Sequence, residues 1–102
     1  MLNIFKNLFG TGTDFKTLKQ QGAVIIDVRT AGEFQSGHLK GAINIPVNTI
    51  SQHINDFKKK GKPVITCCAS GMRSGSATDI LKQAEIDAYN GGSWTSLNNK
   101  LN

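Results

Sequence analysis

The chain of 102 residues has the length of one domain, since single domains cluster at about 100–150 residues. Hydrophobic residues make up 38 % of it and charged residues 19 %, which excludes a disordered chain and a membrane-embedded one. Twelve Lys and Arg against seven Asp and Glu give a net charge of +5, which favours anionic ligands. Arginines are few and aromatic residues make up 7 %, so we do not expect nucleic-acid binding.

The first twelve residues have an amphipathic pattern. Their apolar residues between Leu2 and Phe9 fall on one helical stripe, which Lys6 interrupts. The stretch has neither a long apolar run nor a small-residue cleavage site, so it does not resemble a signal peptide. We predict an N-terminal amphipathic segment over residues 1–12 that packs on the domain, with a peripheral membrane or partner contact as the alternative. The domain itself is predicted over residues 13–102, with no membrane span.

Apolar runs and helical patterns alternate along the rest of the chain. Four continuous apolar runs predict buried strands, at Ala23–Val28, Ala42–Ile45, Pro63–Cys67 and Ile86–Asn90. Helices are predicted over Asp14–Gln21 (with Thr13 as N-cap), Thr30–Ser36, Val47–Lys60, Arg73–Gln83 and Ser93–Leu101. This order predicts an α/β domain with a mainly parallel central sheet of about five strands and helices on both faces. Functional sites in such sheets form at the carboxyl ends of the strands.

The two cysteines, Cys67 and Cys68, are adjacent in the sequence. Adjacent cysteines cannot build a disulfide framework, and two of them do not supply the four ligands of a structural zinc site. We therefore expect no metal and no cofactor. Two free thiols indicate a reducing compartment, taken here as the cytoplasm, or a reactive cysteine.

The segment Val64–Ser74 carries the clearest chemical signal. An apolar strand leads into a cysteine, a short loop with Gly71, and a helix that begins near Arg73. The positive end of a helix dipole and converging backbone N–H groups bind anions in such a loop, and Gly71 permits the positive φ that it needs. Together with the charge of Arg73 they should lower the pKa of the cysteine and populate its nucleophilic thiolate. A buried, inert cysteine is the alternative interpretation.

At this point the sequence resembles the rhodanese superfamily, over about Asp14 to Trp94. The family's active loop, Cys-x-x-Gly-x-Arg-Ser, is matched by Cys68–Ser74. The other matching stretches are Asp27-Val-Arg29, Glu33-Phe34, Gly37-His38, Gly41-Ala42, Asn44-Ile45-Pro46 and Gly91-Gly92-Ser93-Trp94.

The resemblance implies a single-domain, rhodanese-like sulfurtransferase. Cys68 would take a sulfane sulfur from a donor such as thiosulfate or a persulfide, and pass it to a thiol or cyanide acceptor. Either the donor or the acceptor can be a protein in this family. The substrate-binding loop would consist of Ala69, Ser70, Gly71, Met72, Arg73 and Ser74. Ala69 stands where many family loops carry arginine, which makes this loop less cationic.

Three charged residues near the end of the first strand are expected to support the site. Asp27 is expected to buttress the loop, and the i,i+4 spacing of Arg29 and Glu33 suits an ion pair if that stretch is helical. His38 is expected to stabilise a turn rather than act as a base.

Two other functions remain open from the sequence. A domain of this fold can serve as a sulfur carrier or interaction module without turnover. Cys67-x5-Arg73 also satisfies the pattern of cysteine phosphatases and arsenate reductases, although Thr66 stands where that pattern usually has histidine.

Overall fold

The computed structural model describes residues 12–102, in which helices and strands alternate along the chain. The strands are β1 (Val24–Asp27), β2 (Ile43–Asn44), β3 (Val64–Cys68) and β4 (Ala88–Ser93). The α-helices are α1 (Phe15–Gln20), α2 (Ala31–Ser36), α3 (Ile54–Lys60), α4 (Met72–Gln83) and α5 (Trp94–Leu101), and a 3₁₀-helix over Val47–His53 precedes α3.

The four strands form one parallel sheet in the order β2-β1-β3-β4. All five residues of β3 are buried, as expected for a central strand that is covered on both faces. In register, Asp27 lies beside Cys67, and Cys68 lies beside Ser93 after an irregularity in the pairing of β3 with β4. The carboxyl ends of β1, β3 and β4 therefore meet at one edge of the sheet.

Helices pack on both faces of the sheet and divide the core in two. The face covered by α3, α4 and the 3₁₀-helix buries one cluster, which consists of Ile26, Val28, Ile50, Phe57, Val64, Cys68, Ala77, Leu81, Ile86 and Ala88. The face covered by α1 and α5 buries the other cluster, which consists of Phe15, Ile25, Leu39, Ile65, Cys67 and Leu97. Successive residues of a strand point to opposite faces, so neighbours in β1 and β3 belong to different clusters.

The predicted α/β class and parallel sheet are confirmed, but the expectation of about five strands is wrong for residues 12–102, which contain four. Between residue 12 and β1 the chain forms α1, and no further run in that stretch has the continuous apolar character of the four strands. The N-cap of α1 is Asp14 rather than Thr13, because the Asp14 carboxylate accepts a hydrogen bond from the Thr17 N–H at 3.1 Å.

The predicted helix over Val47–Lys60 is divided into the 3₁₀-helix and α3. It ends as predicted at Gly61, which takes the left-handed conformation with φ of 61°. The predicted N-terminal amphipathic segment lies outside the described residues, apart from Gly12. Within residues 12–102, every helix is too short or too polar to cross a bilayer.

Candidate active site

The side chain of Cys68 lies beneath the loop that leads from β3 into α4. Its Sγ accepts hydrogen bonds from the backbone N–H groups of Gly71, at 3.0 Å, and Ser74, at 3.4 Å, and lies 3.3 Å from Ser74 Oγ. Gly71 has a φ of 102°, the left-handed conformation predicted for it, which turns the loop back over the sulfur. Gly71 is also the N-cap position of α4 and has no capping side chain, so the sulfur accepts hydrogen bonds at the positive end of this 12-residue helix.

Burial and hydrogen bonding act on Cys68 in opposite directions. Its side chain is 0 % exposed, and this burial disfavours the thiolate and raises the pKa. The hydroxyl of Ser74 and the backbone N–H groups of Ser74, Gly71 and Ser70 outweigh that effect, so the pKa of Cys68 is lower than that of an ordinary thiol. The hydrogen-bond donors of the loop thus account for the lowered pKa of Cys68, which the sequence analysis attributed partly to the charge of Arg73.

Cys67 points to the opposite face of the sheet. It packs in the cluster beneath α1 and α5, whereas Cys68 belongs to the cluster beneath α4. Burial, and then the negative charge of Asp27, raise the pKa of Cys67 to about 12. Its thiol therefore does not face the loop that a Cys67-x5-Arg73 site would require.

The guanidinium of Arg73 forms a two-pronged ion pair with Glu33 of α2, with N–O distances of 2.7 and 3.0 Å. This bond, followed by a hydrogen bond from the Thr30 N–H, lowers the pKa of Glu33 to about 2. The expected pair of Arg29 with Glu33 is wrong, because Thr30 is the N-cap of α2 and Arg29 precedes the helix. Glu33 instead fastens α2 to the start of α4, beside the loop.

Arg29 pairs with Asp27, on the face of the sheet that carries Cys67. Asp27 is 0 % and Arg29 5 % exposed, and their side chains form hydrogen bonds of 2.7 to 3.0 Å. Arg29 also donates to the Gly37 carbonyl at 2.7 Å and lies 5.1 Å from the centre of the Trp94 ring. Within residues 12–102, the hydrogen bonds of Asp27 and Arg29 do not reach the Cys68 loop, so these two residues act on the end of β1 rather than on the sulfur.

The predicted loop residues differ in exposure, and Gly71 and Arg73 are half-buried. Ala69, Ser70 and Met72 are exposed. Two large apolar side chains are exposed within residues 12–102, and Met72, at 79 %, is the more exposed of them. Ser74 is fully buried, and its carbonyl accepts a hydrogen bond from the Thr66 hydroxyl at 3.0 Å. His38 lies just after the C-terminal end of α2, with Nδ1 2.7 Å from the Phe34 carbonyl.

Sequence reasoning missed Asn90, which lies within β4, beside the loop. Its Nδ2 donates to the Gly71 carbonyl at 3.0 Å, while its Oδ1 accepts from the Gly92 N–H at 2.9 Å and the Ser74 hydroxyl at 2.7 Å. The signal that could have found Asn90 is its place at the end of the predicted strand Ile86–Asn90, directly before a double glycine. Gly91 fits there because a Cβ would lie 2.7 Å from the Thr66 carbonyl.

No group of three or more His, Cys, Asp or Glu side chains is placed to hold a metal ion within residues 12–102. The chemistry that the site offers is that of a buried sulfur with a lowered pKa, surrounded by backbone N–H donors. Such donors stabilise negative charge on sulfur or on an anion bound to it.

The comparison with known proteins covers most of the chain. The family model of the rhodanese-like domain matches residues 11–97. The uncharacterized protein YqhL of Bacillus subtilis is 40 % identical over 73 residues, which are 69 % of this chain and 57 % of YqhL. The thiosulfate sulfurtransferase GlpE of Pseudomonas savastanoi is 36 % identical over 78 residues, which are 72 % of this chain and 70 % of GlpE.

A solved structure described as a rhodanese with anions from E. coli superposes with a TM-score of 0.68 and 30 % identity, covering 74 % of this chain and 91 % of that one. This chain spans only part of the length of the two curated relatives. The match of the family model over 11–97, together with the parallel sheet and the loop around Cys68, establishes that the chain belongs to the family of rhodanese-like domains.

Proposed function

We propose that the protein is a sulfurtransferase that carries a sulfane sulfur on Cys68 as a persulfide. The observation that carries this proposal is the Cys68 sulfur at the end of a parallel strand, with the Gly71 N–H 3.0 Å away and the pKa of the thiol lowered. Membership of the rhodanese-like family and the relative named thiosulfate sulfurtransferase support it.

The reaction has two displacement steps at sulfur. In the first, the Cys68 thiolate attacks the outer sulfur of thiosulfate, a new S–S bond forms, and sulfite leaves with the electron pair of the broken S–S bond. In the second, a thiolate or cyanide attacks the outer sulfur of the persulfide, and the Cys68 thiolate leaves. With cyanide the product is thiocyanate. The loop N–H groups stabilise the negative charge that remains on sulfur throughout.

The donor is a small sulfur-containing anion or a persulfide. The charge of Arg73 is compensated by Glu33, and position 69 is an uncharged alanine, so backbone N–H groups supply most of the attraction that the loop has for an anion. This arrangement favours persulfide donors, including protein persulfides, over the more highly charged thiosulfate. Met72 offers an exposed apolar side chain to a protein donor or acceptor beside the loop.

A sulfur carrier that exchanges sulfur only with a protein partner is the second candidate. The observation that favours it is the complete burial of Cys68, since a donor can reach the sulfur only after the side chain or the loop moves. Phosphatase or arsenate reductase chemistry through Cys67 is disfavoured by the direction of that side chain and by its pKa of about 12. Two free thiols are compatible with the cytoplasm, which we propose as the compartment.

Intact-mass measurement after exposure to sulfur donors tests the proposal. Thiosulfate, polysulfide and a cysteine desulfurase with its substrate should each be tried with the wild-type protein, Cys68→Ser and Cys67→Ser. We expect one added sulfur in the wild type and in Cys67→Ser, which cyanide removes as thiocyanate, and none in Cys68→Ser. Repeated turnover identifies an enzyme, and a single loading identifies a carrier. If no donor adds sulfur to Cys68, the sulfur-transfer proposal is wrong.

A further inference from the structure

The hydrogen bonds of Asn90 fix the orientation of its side-chain amide. The Gly92 N–H is a donor, so the atom of Asn90 that lies 2.9 Å from it is the oxygen Oδ1. The Gly71 carbonyl is an acceptor, so the atom 3.0 Å from it is the nitrogen Nδ2. Turning the amide over would place two N–H donors against each other and two oxygens against each other. It is therefore the oxygen of Asn90 that faces Ser74.

The hydroxyl proton of Ser74 can serve one acceptor at a time. Ser74 Oγ lies 2.7 Å from Asn90 Oδ1, and since Oδ1 has no proton, the Ser74 hydroxyl donates in this contact. The same Oγ lies 3.3 Å from Cys68 Sγ. With the hydroxyl proton on the Asn90 side, this second contact is a hydrogen bond only when the Cys68 thiol donates its own proton to Oγ.

Ionisation of Cys68 changes this arrangement. An anionic sulfur has no proton to give, and the Oγ lone pairs would then face a negative charge. The contact becomes attractive when the Ser74 hydroxyl turns towards the sulfur, which breaks its hydrogen bond to Asn90. We propose that Asn90 is a positioning residue that competes with the Cys68 sulfur for the hydroxyl proton of Ser74. Asn90 holds this proton while Cys68 is a thiol and yields it when the sulfur becomes an anion; this rests on the proposed role of Cys68 as the nucleophile.

The charged groups around Cys68 are unchanged when Asn90 is replaced. The groups whose charge acts on Cys68 are Cys67, its neighbour in β3, and Arg73 of α4. Arg73 forms an ion pair with Glu33 of α2. Asp27 of β1 lies on the face of Cys67 and is paired with Arg29. A change in the ionisation of Cys68 on replacing Asn90 therefore reports on the hydrogen bonds of the loop.

A double-mutant cycle between Asn90 and Ser74 separates the competition from a general loosening of the loop. The ionisation of Cys68 is measured from the pH dependence of alkylation by iodoacetamide, with Cys67→Ala in every protein so that one thiol reacts. Asn90→Ala removes the competing acceptor and also the bond to the Gly71 carbonyl. In the Ser74→Ala background there is no hydroxyl proton to compete for, so that background reports the loosening alone.

We expect Asn90→Ala to raise the acid dissociation constant of Cys68 more when Ser74 is present than in the Ser74→Ala background. The two effects should differ by about threefold to tenfold, which corresponds to one hydrogen bond. Asn44→Ala is the matched control, because Asn44 also lies in a strand and its side-chain amide donates to two backbone carbonyls, those of Asp27 and Arg29, at 3.0 and 2.9 Å. Its effect should be the same in both backgrounds.

Equal effects of Asn90→Ala in the two backgrounds, or a larger upward effect in Ser74→Ala, would overturn the proposal. If Asn90→Ala does not fold, Asn90→Asp keeps the acceptor and should lower the dissociation constant more when Ser74 is present than when it is alanine. An equal effect of Asn90→Asp in both backgrounds would count against the competition. Loading of sulfur on Cys68 is a separate measurement, so the failure of this inference and the failure of the sulfur-transfer proposal are distinguishable.

Discussion

The two adjacent cysteines should differ widely in their reactivity, although both are fully buried. The perturbation is the removal of one thiol at a time, in Cys67→Ser and in Cys68→Ser, followed by alkylation with iodoacetamide near neutral pH. In Cys67→Ser the remaining thiol is held by the loop N–H groups, and in Cys68→Ser it is packed beneath α1 and α5.

The magnitude follows from the two pKa values. The pKa of Cys67 is about 12 and that of Cys68 lies below the ordinary 9.0, a difference of at least three units. Near neutral pH this difference gives Cys68 about a thousandfold larger thiolate fraction. A thiolate of higher pKa is intrinsically more nucleophilic, and with a Brønsted slope of about 0.45 the Cys67 thiolate reacts about twentyfold faster than the Cys68 thiolate. We therefore expect Cys68 to react at least about 40-fold faster than Cys67.

The assay follows the mass increase of each variant with time, over a range of pH. The native fold of each variant is checked by its thermal denaturation, because Cys67→Ser places a hydroxyl in the core and should lose some stability. Sulfur loading should persist in Cys67→Ser and disappear in Cys68→Ser. Equal rates, or faster alkylation of Cys67 with hydrolysis of an aryl phosphate, would refute the assignment of Cys68.

Three further predictions concern the charged groups beside the loop. Arg73→Ala should lower kcat/KM for thiosulfate by about tenfold or more, with Arg73→Lys recovering part of it, because a lysine cannot form the two-pronged bond to Glu33; unchanged kinetics would remove Arg73 from the site. Ala69→Arg should favour thiosulfate over uncharged donors at low salt and lose this advantage at high salt, and a donor ratio that does not change at low salt contradicts the electrostatic argument. The pKa of Glu33 is lowered from 4.5 to about 2, so its pairing stabilises the fold fully above pH 4.5 and progressively less towards pH 2. Thermal denaturation of Glu33→Gln should therefore depend less on pH than that of the wild type in this window, and parallel curves would contradict the pairing.

Much of the fold follows from local signals in the sequence. The four apolar runs all contain strands, and the prediction of buried strands holds for β1 and β3, which are covered on both faces. It is wrong for β2, which lies at an edge of the sheet and leaves Ile43 46 % exposed. Gly61 and Gly71 mark positions where the backbone takes a positive φ, and each ends or begins a helix as predicted. The division of Val47–Lys60 into a 3₁₀-helix and α3 has no such signal, since Ile50 and Phe57 are buried in either form.

The ion pairs could not be predicted in the same way. Arg73 and Glu33 are 40 positions apart, and they meet because α2 and the start of α4 follow neighbouring strands of the sheet. The i,i+4 spacing of Arg29 and Glu33 misled, since the helix begins after Arg29. Asn90 was missed for a related reason, because its contacts depend on the register of β4 against β3. Partners that come from different elements are set by the packing of those elements.

The structure separates the groups that contact the Cys68 sulfur from the exposed side chains that would meet the proposed substrate. Cys68, Ser74 and Thr66 are fully buried and linked by hydrogen bonds, so changes there alter the charge and the position of the sulfur. The backbone N–H groups that contact the sulfur are present whatever side chains the loop carries, whereas Ala69 and Met72 face outwards. Uncharged substitutions at these two positions should therefore change which donor is used while the ionisation of Cys68 stays nearly the same. This is why the proposed chemistry follows from a short motif, while the proposed donor and acceptor depend on the exposed side chains around it.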